Sequence, residues 1–165
     1  MTEFDDRPVR AAVGLAGATA GLSLVLAGFG PVIGVVLGSL GFVALVFGAS
    51  RGERGPLLVG ATLLFLGHLL GAAAGAEPLL ALVGAALALV AWDVGEHGVD
   101  LGTVVGRTGR SRSAVVTHAS VSLSVAGLAV GVGFGIYAVA PGGRPTAALG
   151  LLVLGAVLVV VGLRD

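Results

Sequence analysis

The chain has 165 residues, 56% of them hydrophobic and only 11% charged, with nine arginines balancing nine acids and a mean hydropathy of +1.09. Soluble domains carry about a quarter charged residues, so the composition reads as an integral membrane protein, and zero net charge leaves no electrostatic footprint for nucleic acid. Cysteine is absent, which removes disulfides and thiolate chemistry.

In chain order, residues 1–10 are a short polar tail, not basic enough at its start for a signal peptide, so the apolar run 11–29 reads as an uncleaved first span. Gly28, Phe29, Gly30 and Pro31 make a tight turn, since proline is welcome in the first turn of a new helix and not inside one. A second span covers 31–50, the charged turn RGERGP separates it from a third at 57–75, and Glu77–Pro78 marks the next turn. The fourth span runs 78–97, the fifth 120–140, and after the turn PGGRP a sixth covers 146–163. Each meets or approaches the roughly 20 residues that cross the hydrocarbon, and the alternating polarity of barrel strands is missing. The expected fold is all-α, a single polytopic domain of six transmembrane helices in three hairpins. Arg7, Arg10, Arg51, Arg54, Arg107, Arg110, Arg112 and Arg164 fall on one side and Arg144 alone on the other. The positive-inside bias places both termini in the cytoplasm of a cell membrane.

Small residues at every third or fourth position allow helices to approach closely in lipid. GxxxG spacings occur at Gly17/Gly21, Gly34/Gly38, Gly67/Gly71/Gly75 and Gly127/Gly131/Gly135, and in helix five Ser113, Thr117, Ser120 and Ser124 extend the last of these on one face. Helix four carries the same device past the membrane through Gly84, Ala88, Ala91, Gly95, Gly98, Gly102 and Gly106, with Asp93, Glu96, Asp100 and Arg107 on a charged face and Val94 and Leu101 on an apolar one. Glycine inside a helix costs about 1 kcal/mol relative to alanine, so this face must pack, and helix five is the expected neighbour. Residues 98–119 then form the tip of a cytoplasmic helical hairpin, with Asp100 level with His118 and Glu96 level with Ser122. The alternative is that 95–112 is a bent connector whose arginines rest on anionic headgroups.

Chemistry is sparse. His68 lies in mid-span of helix three, where an ionisable group is a functional suspect and a neutral histidine hydrogen-bonded to a neighbouring helix is the simpler account. His68 and His118 differ in depth by about 10 Å at 1.5 Å per residue, which argues against a shared haem. Asp93, Glu96, His97 and Asp100 have helical spacings that could gather a metal or proton, though a solvated charged face explains them equally. Ser122 follows His118 by four residues without the surroundings of a serine nucleophile. No catalytic, nucleotide or metal signature is found, and no cofactor is expected.

At AWDVGEHGVDLG (91–102), with the RTGRSRS run (107–113), the Thr117/His118 pair and LAVGVGFGIYAVAPGG (128–143), the chain resembles a family of small uncharacterised multi-pass membrane proteins of halophilic archaea. The resemblance covers nearly the whole chain. It implies an archaeal membrane protein with a domain of unknown function, from gene clusters that encode a MoxR-type AAA+ ATPase, and it carries over no functional residues. The expected function is a non-catalytic membrane subunit or scaffold that binds a protein partner through Asp93, Glu96, Asp100 and Arg107. A homo-oligomer is an open alternative for the partner, and a small transporter or channel centred on His68 an alternative for the role.

Overall fold

A computed structural model describes residues 7–105 and 111–139, with the side chain of Val105 excepted. They form five helices: α1 (Arg10–Ala27), α2 (Val32–Arg51), α3 (Arg54–Ala73), α4 (Pro78–Val105) and α5 (Arg112–Val139). All five are long and apolar enough to cross a membrane, and no strand occurs among the described residues. The sixth span at 146–163, Arg144, Gly106, Arg107 and Arg110 lie outside the described residues.

Local chemistry sets the breaks. Gly52 adopts a left-handed φ of 76° at the end of α2 and donates its N–H to the Gly48 carbonyl at 2.8 Å, closing the last turn as glycine caps do. The charged turn therefore shrinks to Gly52 and Glu53, and α3 begins at Arg54, three residues before the apolar run. Pro56 falls in the first helical turn, where its missing N–H would have had no partner. At the other end, Ala76 N–H reaches back to the Gly71 carbonyl at 2.9 Å around Gly75, whose φ is 97°. Pro78 then opens α4, and the Glu77 carboxylate accepts the Leu80 N–H at 2.8 Å. This puts a negative group at the positive end of the helix dipole.

The helices run alternately up and down. The closest approach is between α2 and α3, where glycines spaced by seven residues face one another. A Cβ on Gly41 would sit 2.6 Å from the Gly60 carbonyl oxygen, one on Gly34 3.1 Å from that of Gly67, and one on Gly60 would strike the Leu45 backbone. Alanines at 12, 16 and 20 and Ser23 line the buried face of α1. They meet the small-residue face of α4, on which Gly84, Ala88, Ala91, Gly95 and Gly98 are buried. Leu45, Leu57, Leu64 and Val94 are the large side chains sealed in the centre.

One alternative narrows here and two sequence expectations change. Helix four is unbroken to Val105, so 95–105 is helix and not a bent connector. Its glycine face packs on α1 and α3, with Gly98 against Ala12 and Gly95 against Leu57, and not on α5. The reason is steric: the Ala12 methyl and the Leu57 side chain fill the space that a Cβ on Gly98 or Gly95 would take, whereas the α4–α5 contact has room for two imidazoles. Likewise α5 turns Val115 and Ala119 inward, leaving Ser113, Thr117, Ser120, Ser124 and Gly127 exposed among the described residues. A Cβ on Gly127, Gly131 or Gly135 would meet no described atom within 4 Å.

Candidate functional site at the polar end

The polar side chains of α4 point to two neighbours. Towards α3, the Arg54 guanidinium bonds Glu96 Oε2 at 2.6 Å and also pairs with Asp100. Arg54 stands at the head of α3 and the two acids lie one turn apart on α4, so antiparallel packing brings one cation between two carboxylates. The hydrogen bond to Asp100 and the Glu96 carboxylate hold the Arg54 pKa above its ordinary value. The Arg54 and Asp100 side chains remain 55% and 59% exposed, so each pair contributes only about 0.2–1 kcal/mol.

Towards α5, Asp93 meets His118, whose Nε2 lies 2.8 Å from Asp93 Oδ2. The N–H is not aimed along the carboxylate, so the contact is electrostatic more than a directed hydrogen bond. Ser122 Oγ donates to the same Oδ2 at 2.5 Å. The His97 ring lies flat on His118, centroids 4.1 Å apart and planes 15° from parallel. His97 Nε2 is buried with no hydrogen-bond partner among the described residues. His118 is thus level with His97 and Ser122 with Asp93, three residues earlier on α4 than counting from the outer helix ends suggests. The count took both helices to start at the same depth, and α4 and α5 are in fact staggered.

Serine, histidine and aspartate come together here, but in the wrong order for nucleophilic catalysis. Asp93 accepts from Ser122 and lies against His118, so the serine is bonded to the acid and not to the base that would activate it. Among the described residues no three His, Asp or Glu side chains converge to hold a metal ion.

The second polar cluster is buried where α1, α3 and α4 meet. His68 Nε2 lies 3.0 Å from Ser23 Oγ and 3.1 Å from the Ser23 carbonyl oxygen, while Ser23 Oγ donates to the Gly84 carbonyl at 2.8 Å. Because the hydroxyl proton goes to Gly84, the imidazole must be the donor to Ser23, which requires the tautomer protonated at Nε2. Gly84 is necessary to this arrangement, since a Cβ there would fall inside the imidazole ring. His68 also borders a small cavity shared with Phe29, Pro31, Gly71, Glu77 and Leu80, with room for about one water molecule. Two other intramembrane hydroxyls serve their own helices: Thr19 bonds the Leu15 carbonyl and Thr62 that of Leu58.

Of the residues expected to contact a partner, the structure brings Asp93, Glu96 and Asp100 to one end but engages each with a side chain of this chain. Arg107 lies outside the described residues. Of the expected packing glycines, Gly67, Gly95 and Gly98 are in tight contact, Gly102 is buried, Gly71 is in ordinary contact and Gly75 serves a turn. Sequence reasoning missed Gly41, Gly48 and Gly60, whose signal was the seven-residue spacing of Gly34, Gly41 and Gly48 opposite Gly60 and Gly67. It also missed Arg54 and Ser23 as partners, which no local spacing reveals.

Five described helices, each long and apolar enough to cross a membrane and packed largely through glycine and alanine, define a multi-pass α-helical membrane protein. Within that class, the chain belongs to the family of unknown function DUF7519, which it matches over residues 6–160. No curated protein and no solved structure matches it.

Proposed function

We propose that the protein is a non-catalytic membrane subunit that engages a protein partner at the end holding Arg54, Glu96 and Asp100, with N and C termini cytoplasmic. The observation that carries this is how its polar groups are used. Those of α4 tie α3, α4 and α5 together and leave an alternating charge surface, Arg54 beside Asp100, more than half exposed. Such surfaces contribute little to stability and much to the choice of partner. The resemblance in the sequence implies an archaeal protein whose partner comes from a MoxR-type ATPase gene cluster. The test is affinity capture from native membranes with the full chain and with Glu96→Gln plus Asp100→Asn. A stable partner recovered with the first and lost with the second, at equal thermal stability, is expected. Recovery of the same proteins with both overturns the assignment of the surface.

A second reading, a small transporter or channel centred on His68, draws support from the cavity beside that imidazole at the opposite end of the bundle. Under it, His68→Leu abolishes flux in proteoliposomes, whereas the subunit reading leaves partner capture by His68→Leu intact.

A further inference from the structure

The His97–His118 stack serves no purpose in the partner reading, and it is an uncommon way to join two helices. Neutral imidazoles stack without penalty, and an imidazole tolerates one imidazolium against its face. Two imidazoliums at this separation repel strongly, each disfavouring the charge of the other. Among the described residues, Asp93 is the carboxylate that contacts the pair, at His118, while Asp93 and Asp100 both also act electrostatically on His97. Asp93 can balance one positive charge and not two, and Asp100 is already engaged by Arg54.

We propose that Asp93, His97 and His118 form a proton-binding latch between α4 and α5, which stays closed with one positive charge on the stacked pair and parts the two helices when His97 adds a second. One charge is accommodated because Asp93 Oδ2 is 2.8 Å from His118 Nε2 and is kept in place by Ser122 at 2.5 Å. The second is opposed by the stack itself, since His97 has no acceptor among the described residues for the N–H it would gain at Nε2. The remaining charges near the latch among the described residues do not supply one. On α4, Asp100 is engaged by Arg54, the cation α3 brings to this end, as is Glu96. At the heads of α1 and α5, Arg10 and Arg112 are exposed, and Arg7 precedes α1; all three are cations and would oppose a second positive charge. Acidification therefore acts on the α4–α5 contact and leaves the α1–α4 core alone. This inference does not depend on the identity or existence of a partner.

The experiment is a histidine-resolved NMR titration of the full chain in lipid nanodiscs, using labelled imidazoles. The pair is expected to take up its two protons in separated steps, as coupled sites do. In His118→Phe, which keeps an aromatic ring in the stack, the His97 midpoint rises by about one pH unit or more; an unchanged midpoint overturns the proposal. In Asp93→Asn the upper of the two midpoints falls by a similar amount, and its constancy also overturns it. Spin labels at Thr103 and Val116 read the mechanical consequence in the wild-type latch. Their separation lengthens as His97 titrates, and a constant separation through that range rejects the opening of the helices. Should His118→Phe fail to fold, Asp93→Asn and the spin labels decide the matter.

Discussion

Replacing Gly84 by alanine tests the buried junction most directly. One added methyl group falls within the His68 imidazole, so the ring must leave its place between α1 and α4. Overpacking a close-packed site costs about 1–3 kcal/mol. Displacing the ring also breaks the His68 contact to Ser23 and strains the Ser23 bond to the Gly84 carbonyl, each worth about 0.6–1 kcal/mol in a membrane protein. The sum is about 2–5 kcal/mol. For a chain of this size about 1 kcal/mol moves Tm by about 2–4 °C, so Gly84→Ala lowers the unfolding temperature in detergent micelles by about 4–20 °C. The same substitution in a His68→Ala background isolates the cause. With the ring gone, the added methyl occupies vacated space, and the further loss falls below about 1 kcal/mol, a double-mutant cycle with strong coupling. If Gly84→Ala costs the same in both backgrounds, His68 is not what the methyl group meets, and the assignment of Gly84 as the seat of the imidazole is wrong.

Three other outcomes follow from the packing and the charges. Gly60→Ala costs more than Gly95→Ala by thermal unfolding, because the first methyl meets the Leu45 backbone while the second meets the tip of the Leu57 side chain, which can rotate away. Gly14→Ala, with nothing within 4 Å, leaves Tm unchanged or raises it through the roughly 1 kcal/mol helix preference of alanine; a fall comparable to that of Gly60→Ala refutes the packing account. Arg54→Gln lowers stability by less than about 2 kcal/mol, and the difference shrinks further in 1 M salt, as screening requires of exposed pairs. Since the chain has no cysteine, Gly55→Cys and Ala74→Cys report orientation with a membrane-impermeant maleimide. In intact cells Ala74→Cys is labelled and Gly55→Cys is labelled only after permeabilisation, and the reverse pattern rejects the cytoplasmic termini.

Much of the architecture was legible because lipid imposes a length and a polarity that single residues announce. Pro31 and Pro78 mark helix starts and Gly52 and Gly75 helix ends, each for backbone reasons that hold whatever the neighbours are. The unbroken run of α4 through Gly95, Gly98 and Gly102 was readable from the persistence of one small face, and that face is buried. Its partner was not readable. Small residues state only that something comes near, and the same pattern serves α1, α3 or α5 equally well. On α5 the Ser/Gly stripe invites the same inference, yet Val115 and Ala119 make the contact.

The sequence by itself determined the membrane class, the helix boundaries to within a few residues and the small-residue faces, because these follow from hydrocarbon thickness, backbone dihedral limits and side-chain volume. Tertiary structure alone decided which residues meet. His68 found Ser23 and Gly84, Arg54 found Glu96 and Asp100, and His97 found His118, each across 16 to 46 positions in the chain. Those pairings depend on the rotation and stagger of whole helices. Rotation and stagger are set by the sum of many weak packing contacts, so no local spacing encodes them.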